Sequence, residues 1–420
     1  MKALLVVLDG AADRKIAVLG GKTPLQAAHM PNLNNFTSGS FEGIMYPIKK
    51  NVAPESDAAV FSILGYDVNK EYTGRGPIEA FGAGLDVDDN TLALRCNFAT
   101  IDKNRMIIDR RAGRSISRSY AKQLEKEINK IKLRENDVKF RFKATVGHRA
   151  VVTFSSKSKA FSPMVSNADI GYIRKGRIST AITTNSSAVK MPRVFALDRS
   201  SSARYTAAIL NEFLDSAISR LGKLAVNKRR IRKKLLPANA ILMRDAGVGL
   251  PKVTPISKKY SMSFAFVTEM PVERGISRLL GMKELHARWR MTKIARYREI
   301  AKTVMANSNA FDFIYVHLKG PDEPGHDGDA IGKKTALEEI DSGFFAMIPK
   351  NLGATLCVAE DHSTPCELKA HSADPVPVMI KPSGKPGRDS MHFDEGIDSR
   401  GSLGVFRGIE LVRKIIEHMS

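Results

Sequence analysis

The chain has few cysteines and no long apolar run. Its three cysteines, Cys96, Cys357 and Cys366, form no Cys-x-x-Cys pair. This argues against both a disulfide framework and a thiolate zinc site. No apolar stretch reaches the roughly 20 residues of a transmembrane helix. The apolar run after Met1-Lys2 is too short for a secretory signal, and no small-residue cleavage site follows it. We therefore expect a cytoplasmic protein that does not associate with membranes.

Acidic residues are scarce in only one region. Residues 101–240 hold 32 Lys and Arg against 10 Asp and Glu, so this block alone accounts for the net charge of +22. The asymmetry predicts a separate central domain that faces a phosphorylated small molecule or a polyanion. A solvated, lysine-rich surface would explain the charge equally well. Nucleic-acid binding is the least favoured interpretation, because the block has few aromatics and no known RNA- or DNA-binding motif.

A chain of 420 residues is too long for a single core and suggests two domains. Outside the basic block, strand-like runs alternate with helical patterns, which predicts an α/β fold with a mostly parallel sheet covered by helices on both faces. We assign residues 1–92 and 236–420 to this domain. Residues 93–235 form a predicted inserted α+β domain. The clearest elements of the sheet domain are strands 3–8, 264–267, 311–316 and 354–359 and helices 292–307 and 332–347.

Carboxylates and imidazoles follow the predicted strands. Asp9 ends the first strand, and Asp322, His326 and the pair Asp361-His362 come after two later ones. Ligands gather at the carboxyl ends of parallel strands, so we expect these residues on one rim. The Glu-Pro-Gly between Asp322 and His326 predicts a tight turn rather than a helix. Oxygen and imidazole donors suit Mn²⁺, Zn²⁺ or Mg²⁺, and two such ions ~3.5–4 Å apart would polarise a phosphoryl group.

Ser56 is the candidate nucleophile for such a site. It lies in the loop 51–57, directly before a helical pattern that Gly65 closes. A helix N-terminus favours anions through its free N–H groups and its dipole. A serine in that position is most often only a helix cap. The combination of Ser56 with Asp9 and the two downstream clusters is what indicates a phosphoryl acceptor.

With these residues in place, the sequence resembles the archaeal-type 2,3-bisphosphoglycerate-independent phosphoglycerate mutases, a family of the alkaline phosphatase superfamily. The resemblance extends over nearly the whole chain and is thinner in the middle. It is most specific in five segments, residues 7–13, 53–59, 72–80, 319–329 and 361–377. It implies an alkaline-phosphatase-like fold in which an inserted basic cap domain closes over the substrate.

The resemblance also implies a binuclear centre and a reaction. One ion would take Asp9, Ser56, Asp361 and His362, and the other would take Asp322, His326 and His371. Ser56 would accept the phosphoryl group of 3-phosphoglycerate, and the resulting phosphoserine would return it to the 2-hydroxyl of glycerate. Mn²⁺ is the expected ion, with Zn²⁺, Mg²⁺ and Co²⁺ as alternatives. The reaction belongs to glycolysis and gluconeogenesis.

Such a mutase must exclude water, because water would hydrolyse the phosphoserine. It must also hold a carboxylate and a phosphate, which favours arginine forks. The candidate substrate-binding residues are Arg75, Arg110, Arg114, His148, Arg149 and Arg274.

Four regions depart from the family pattern. Asp245 stands where glycine is usual, and Arg274 stands where lysine is usual. The segment around Trp289 replaces a glycine-rich stretch, and residues 166–172 differ from a stretch that contains aspartate and histidine in the family. All seven metal-ligand positions are intact, so the departures concern the substrate or the efficiency of the reaction. The alternative is a metal-dependent phosphatase, or a mutase of another small phosphorylated acid. The sequence leaves the oligomeric state open.

Overall fold

The computed structural model describes residues 1–175, 178–181, 189–288, 292–389 and 392–419. The strands are β1 (Ala3–Leu8), β2 (Phe41–Tyr46), β3 (Leu92–Ile101), β4 (Ile107–Asp109), β5 (Lys139–Ala144), β6 (Arg149–Ser155), β7 (Tyr172–Lys175), β8 (Ile178–Ala181), β9 (Ala240–Val248), β10 (Phe264–Thr268), β11 (Lys283–Glu284), β12 (Phe313–Leu318), β13 (Thr355–Glu360), β14 (Val376–Lys381) and β15 (Gly404–Arg407). The α-helices are α1 (Pro24–Ala27), α2 (Pro31–Asn34), α3 (Ser56–Ile63), α4 (Val68–Glu71), α5 (Arg75–Gly82), α6 (Arg118–Ile128), α7 (Ser201–Lys223), α8 (Ala225–Arg232), α9 (Ile256–Tyr260), α10 (Pro271–Leu279), α11 (Lys293–Ala306), α12 (Asp322–Asp327), α13 (Ala330–Gly343) and α14 (Leu411–Glu417).

Residues that pack most densely against one another form two compact units. The first unit comprises Met1–Tyr72, Val253–Glu269 and Ile276–Ser420, and the second comprises Thr73–Lys252 and Met270–Gly275. The second unit is wider than the predicted insertion at 93–235. It includes α5, because Gly76 packs so closely that an added Cβ would lie 2.4 Å from the carbonyl oxygens of Ala93 and Asp245. The boundary at 93 stays a prediction.

The first unit is built on an eight-stranded sheet of order β11-β10-β12-β1-β13-β14-β2-β15. The β13–β14 and β14–β2 pairs are antiparallel, and the other neighbouring strands pair in parallel. All six residues of β1 are buried, which requires cover on both faces of the sheet. The predicted α/β class with a mostly parallel sheet is therefore confirmed.

The pairing of the three central strands brings their carboxyl ends together. Leu8, the last residue of β1, pairs with Leu318 of β12 on one side and with Glu360 of β13 on the other. These strands are parallel, so the residues that follow them leave the sheet side by side. This register explains how residues more than 300 positions apart reach one rim.

The second unit is an antiparallel sheet packed against long helices. Its main sheet has the order β4-β3-β6-β5, and β9 also pairs with β3. Every residue of β3 is buried. The helix α7 contributes Leu210, Phe213, Leu214 and Ala217 to the core cluster that also contains β3 residues. Within the described residues, no helix is both long and apolar enough to span a membrane.

A buried lysine on α13 joins the two loops that follow β1 and β13. Lys333 Nζ donates to the carbonyl oxygens of Ala12 (3.0 Å) and Thr364 (2.8 Å) and to Asp13 Oδ2 (2.9 Å). Neither side chain of the Lys333–Asp13 pair is exposed. The carboxylate of Asp13 also accepts from the backbone N–H of Cys366. This network therefore fixes the two loops at the carboxyl edge of the sheet.

We expect Lys333→Met to lower the free energy of unfolding by about 3–5 kcal/mol, because it leaves the carboxylate of Asp13 buried without its cation. The neighbouring Lys334→Met is the control. It breaks an ion pair with Glu338 whose side chains are about 30% exposed, so it should cost at most about 1 kcal/mol. Denaturant unfolding monitored by circular dichroism measures both. Equal losses in the two variants would contradict the structural role of the buried pair.

Candidate metal centre

A group of three ligating side chains forms around the helix α12. Residues Asp322 to Asp327 form this short helix, so the predicted tight turn between Asp322 and His326 is wrong. Pro324 is tolerated because it lies in the first helical turn, where its missing N–H has no partner to lose, and Gly328 ends the helix with a φ of 76°. The helix places Asp322 and His326, four residues apart, on the same face.

The imidazoles of His326 and His371 present their Nε2 atoms to the same point. His326 Nδ1 donates to the carbonyl of Lys369 (3.0 Å), and His371 Nδ1 donates to the carbonyl of Pro54 (2.7 Å). The two Nε2 atoms lie 3.2 Å apart and 3.4 and 3.5 Å from Asp322 Oδ1. Both Nδ1 atoms carry a proton in this arrangement, so the two Nε2 atoms and a carboxylate oxygen converge. Burial opposes protonation of His371, but its contact with Asp322 raises its pKa to about 9, so an ion that binds here displaces the proton on Nε2. A cation fits this donor set.

A second, fully buried group lies at the ends of the three central strands. Asp361 Oδ1 accepts from the backbone N–H of Gly10 (3.0 Å). Asp361 Oδ2 is buried and accepts no hydrogen bond from the described residues. It lies 3.3 Å from His362 Nε2 and 3.8 Å from His317 Nε2, and the same two nitrogens lie 3.7 and 3.4 Å from Asp9 Oδ1. A buried carboxylate oxygen without a partner is expected where a cation binds.

The charges of this buried group support the same conclusion. Burial, and next the charge of Asp9, raise the pKa of Asp361 well above its ordinary value. Burial also acts against ionisation of Asp9, but the ammonium of Lys319, with Nζ 2.8 Å from Asp9 Oδ2, holds the pKa of Asp9 below its ordinary value. Two neighbouring carboxylates with one lysine need a further positive charge to be ionised together.

Ser56 lies next to both groups. Helix α3 begins at Ser56, as predicted, and Ser56 Oγ lies 3.1 Å from His362 Nε2. The hydroxyl of Thr364 donates to Asp322 Oδ1 (2.9 Å), so it accepts from His362 Nδ1 (2.9 Å). This leaves the lone pair of His362 on Nε2, towards Ser56. The ring of His362 stacks on that of His371 with centroids 3.7 Å apart, which joins the two ligand groups.

The structure thus brings the seven predicted ligand positions into one cluster. Gly10 makes this possible, since its φ is +58° and a Cβ there would lie 2.6 Å from Thr364 Oγ1 and 2.9 Å from Asp322 Oδ1. The groups Asp322–His326–His371 and Asp9–His317–Asp361 each have ligand atoms within 4.8 Å of one another. Among the residues that the structure describes, two such sets could therefore hold a metal ion.

The second unit holds a separate network of arginines and buried carboxylates. Glu79 Oε2 lies 3.2 Å from Arg75 Nε and 2.7 Å from Arg95 Nε, and Arg95 Nη1 lies 3.2 Å from Asp245 Oδ2. Burial opposes the ionisation of Glu79, but the charges of Arg95, Arg75 and Arg149 hold its pKa below the ordinary value. Two of the predicted substrate-binding residues, Arg75 and Arg149, therefore lie close to one carboxylate.

Asp169 forms the other half of this network. Its buried carboxylate lies 2.6 Å from Arg110 Nη2 and 2.7 Å from Arg244 Nη1. Arg244 Nε lies 3.6 Å from Asp245 Oδ2, and its guanidinium lies 4.2 Å from the ring centroid of Tyr172. Such pairing orients guanidinium groups that would otherwise repel one another.

The backbone explains the unusual residue at position 245. Asp245 has a φ of +59°, in the left-handed region that favours glycine. The pairing of β3 with β9 shifts register here, since Ala93 pairs with Gly247 but Arg95 pairs with Arg244. Aspartate tolerates this conformation better than most residues. It also adds a negative charge beside two arginines, which a glycine would not.

The other predicted substrate residues are also in the second unit. Burial, and next the charge of Arg149, lower the pKa of His148 to about 3, with Arg114 contributing. The imidazole of His148 is therefore neutral at pH 7. Arg274 lies on α10. The departure at Trp289 lies outside the described residues.

Several residues of these clusters were not predicted as participants. His317 precedes the end of β12 and Lys319 follows it, so their strand position was the available signal. No sequence signal pointed to Thr364, because a threonine in a loop can have many roles. Arg95 and Arg244 lie within strands, where a buried arginine becomes recognisable only once its carboxylate partner is known.

Comparison with known proteins identifies the family. Its sequence profile, described as 2,3-bisphosphoglycerate-independent phosphoglycerate mutase, matches residues 38–227. A protein of that name from Aeropyrum pernix is 41% identical over 97% of both chains, and one from Methanocaldococcus jannaschii is 35% identical over 99% of this chain and 96% of its own. The chain belongs to this family. The solved structure of a cofactor-independent phosphoglycerate mutase from Thermoplasma acidophilum shares 30% identity and 99% coverage of both chains, with a TM-score of 0.63.

A structure from Pyrococcus horikoshii has a TM-score of 0.78, with 27% identity over 100% of this chain and 97% of its own. The family predicted from the five segments is therefore confirmed. Membership of the phosphoglycerate mutase family agrees with the arrangement of Ser56 between two ligand groups.

We expect the protein, freed of metal and dialysed against Mn²⁺, to bind two ions per chain, and the His371→Asn variant to bind one. Loss of one of three protein ligands should abolish tight binding at that group. His29→Asn, at an exposed histidine, is the control and should still bind two. Elemental analysis gives the stoichiometry. Two ions in His371→Asn would contradict the assignment of His371.

Proposed function

We propose that the protein interconverts 3-phosphoglycerate and 2-phosphoglycerate through a phosphoserine at Ser56, without 2,3-bisphosphoglycerate, in glycolysis and gluconeogenesis. The observation that carries this proposal is the hydrogen bond of Ser56 Oγ to His362 Nε2, at the junction of the two ligand groups. The protein is accordingly a cytoplasmic isomerase that acts on a small phosphorylated acid.

Two divalent cations are the proposed cofactors. One would be held by Asp9, Ser56, Asp361 and His362, and the other by Asp322, His326 and His371. Carboxylate donors suit Mn²⁺ and Mg²⁺, and imidazole donors suit Zn²⁺. We propose Mn²⁺, with Zn²⁺, Mg²⁺ and Co²⁺ as alternatives. When bound, such a pair of ions polarises the transferring phosphoryl group and stabilises its negative charge.

The protein's own residues position the nucleophile. Ser56 is the first residue of α3, so the helix N-terminus favours the negative charge that accumulates on a phosphoryl group attached there. Thr364 fixes the tautomer of His362, which leaves the Nε2 lone pair of His362 beside Ser56 Oγ, where both atoms could bind the same ion. Ser56 is only 8% exposed, which limits the access of water to a phosphoserine at this position.

The arginine network of the second unit is the proposed binding site for the carboxylate and phosphate of the substrate. Arg75, Arg110, Arg114 and Arg149 supply the guanidinium forks that such groups need. His148 contributes as a neutral hydrogen-bonding group, because its pKa of about 3 keeps it uncharged at pH 7. Arg274 is proposed to take the place of the lysine that the family usually has.

We expect Ser56→Ala to abolish interconversion, because alanine offers no phosphoryl acceptor. Ser62→Ala is the matched control. Ser62 is also buried and lies on the same helix, so it reports the effect of losing a buried hydroxyl. A coupled assay for 2-phosphoglycerate formation should detect activity in the control alone. Full activity of Ser56→Ala would exclude the phosphoserine route. Release of free phosphate faster than interconversion by the unaltered protein would favour a phosphatase.

Asp245→Asn is expected to lower the KM for 3-phosphoglycerate by about fivefold, because removing one negative charge near the arginines changes an anion's interaction by about 1 kcal/mol. Asparagine tolerates the same positive φ. The control is Asp89→Asn, the same charge change at an exposed ion pair with Lys252, which should leave KM unchanged. An equal KM in both variants would show that the arginine network does not bind the substrate.

A further inference from the structure

The buried ligand group contains one imidazole more than the proposed set of ligands uses. His317 is 1% exposed and lies in β12, next to Leu318, the last residue of that strand. Its Nδ1 lies 2.7 Å from the hydroxyl oxygen of Tyr315, and its Nε2 faces the carboxylates of Asp9 and Asp361. The ring is thus held from one side and presents its other nitrogen to the place where a cation is needed.

The carboxylates of Asp9 and Asp361 both lie close to the imidazole of His317. Each of Asp9 Oδ1 and Asp361 Oδ2 lies 3.3 to 3.8 Å from the Nε2 atoms of both His317 and His362. Ligand atoms about 2.1 Å from a tetrahedral ion lie about 3.4 Å apart. The distances of 3.4 and 3.8 Å from His317 Nε2 to the two carboxylates are therefore close to those of ligands that share one ion.

We propose that His317 is a further ligand of the buried ion, alongside Asp9, Ser56, Asp361 and His362, and that the hydroxyl of Tyr315 orients its ring. This inference rests on the proposed two-ion centre. In the ligand role, His317 Nδ1 donates its proton to Tyr315 Oη and leaves the Nε2 lone pair for the ion. Metal-binding histidines commonly have such an outer partner.

The extra nitrogen determines which ion the buried position prefers. Two imidazoles and two carboxylates suit Zn²⁺ and Co²⁺ better than a site rich in oxygen, which suits Mn²⁺ and Mg²⁺. Lys319 supports this geometry, because its contact with Asp9 Oδ2 leaves only Oδ1 of that carboxylate directed at the ion. His317 is thus a residue that sets metal specificity.

The test measures metal binding rather than activity. In a His371→Asn background only the buried position remains, so its affinity can be titrated directly with Co²⁺ and followed by the visible absorption of the bound ion. Adding His317→Asn should weaken Co²⁺ binding at least about tenfold and shift the spectrum towards that of a site with fewer nitrogen donors. Adding Tyr315→Phe should weaken binding by about tenfold, as expected for loss of an outer partner. Adding His29→Asn should change neither.

Competition between Zn²⁺ and Mn²⁺ gives a second readout. The preference for Zn²⁺ should fall in His317→Asn and stay unchanged in His29→Asn. Unaltered Co²⁺ affinity, spectrum and metal preference in folded His317→Asn would overturn the inference. Tyr315→Phe retains the histidine and keeps the question answerable if His317→Asn does not fold, and unaltered Co²⁺ affinity in that variant would likewise overturn it. A metal-binding protein without mutase activity would refute the proposed function but leave this result valid.

Discussion

The first unit depends on a convergence of lone pairs and negative charges that its own residues do not neutralise. Asp361 Oδ2 is buried without a hydrogen bond, and two imidazole nitrogens face each other across 3.2 Å beside Asp322. A cation at each place would give the buried oxygen a partner and supply the missing positive charge. The scaffold tolerates these arrangements because β1, β12 and β13 are fully buried and fix the rim, and because Lys333 ties the loops beneath it.

In the second unit, the charges that must be neutralised are positive rather than negative. Its guanidinium groups would repel one another, and buried carboxylates such as Glu79 and Asp169 hold them in place. The pairing also fixes the direction of each guanidinium group. Asp245 adds a further negative charge to this network, at a backbone position whose positive φ favours glycine.

The sequence was most informative where chemistry coincides with strand ends. Asp9 and Asp361-His362 could be placed on one rim because parallel strands share a carboxyl edge. The helix at Asp322 could not be predicted from a Glu-Pro-Gly spacer that is typical of turns, since proline in a first helical turn costs little. His317 directly follows the predicted strand 311–316, and only the register of β12 with β1 shows what it faces.

The arginine network shows a second limit of sequence reasoning. Arg75, Arg110 and Arg149 were predicted from the need to bind anions, whereas Arg95 and Arg244 were not, because their role depends on carboxylates distant in sequence. Charge counts located the basic block at 101–240 but could not tell paired guanidinium groups from solvated ones. Burial and pairing are properties of the fold, and only the structure supplies them.

The most direct test of the two-ion phosphoserine mechanism is the conversion of 3-phosphoglycerate to 2-phosphoglycerate by protein stripped of metal with a chelator. In the absence of 2,3-bisphosphoglycerate, the stripped protein should be inactive, and adding Mn²⁺ back should restore the reaction. Undiminished interconversion by protein shown to be free of metal would contradict it.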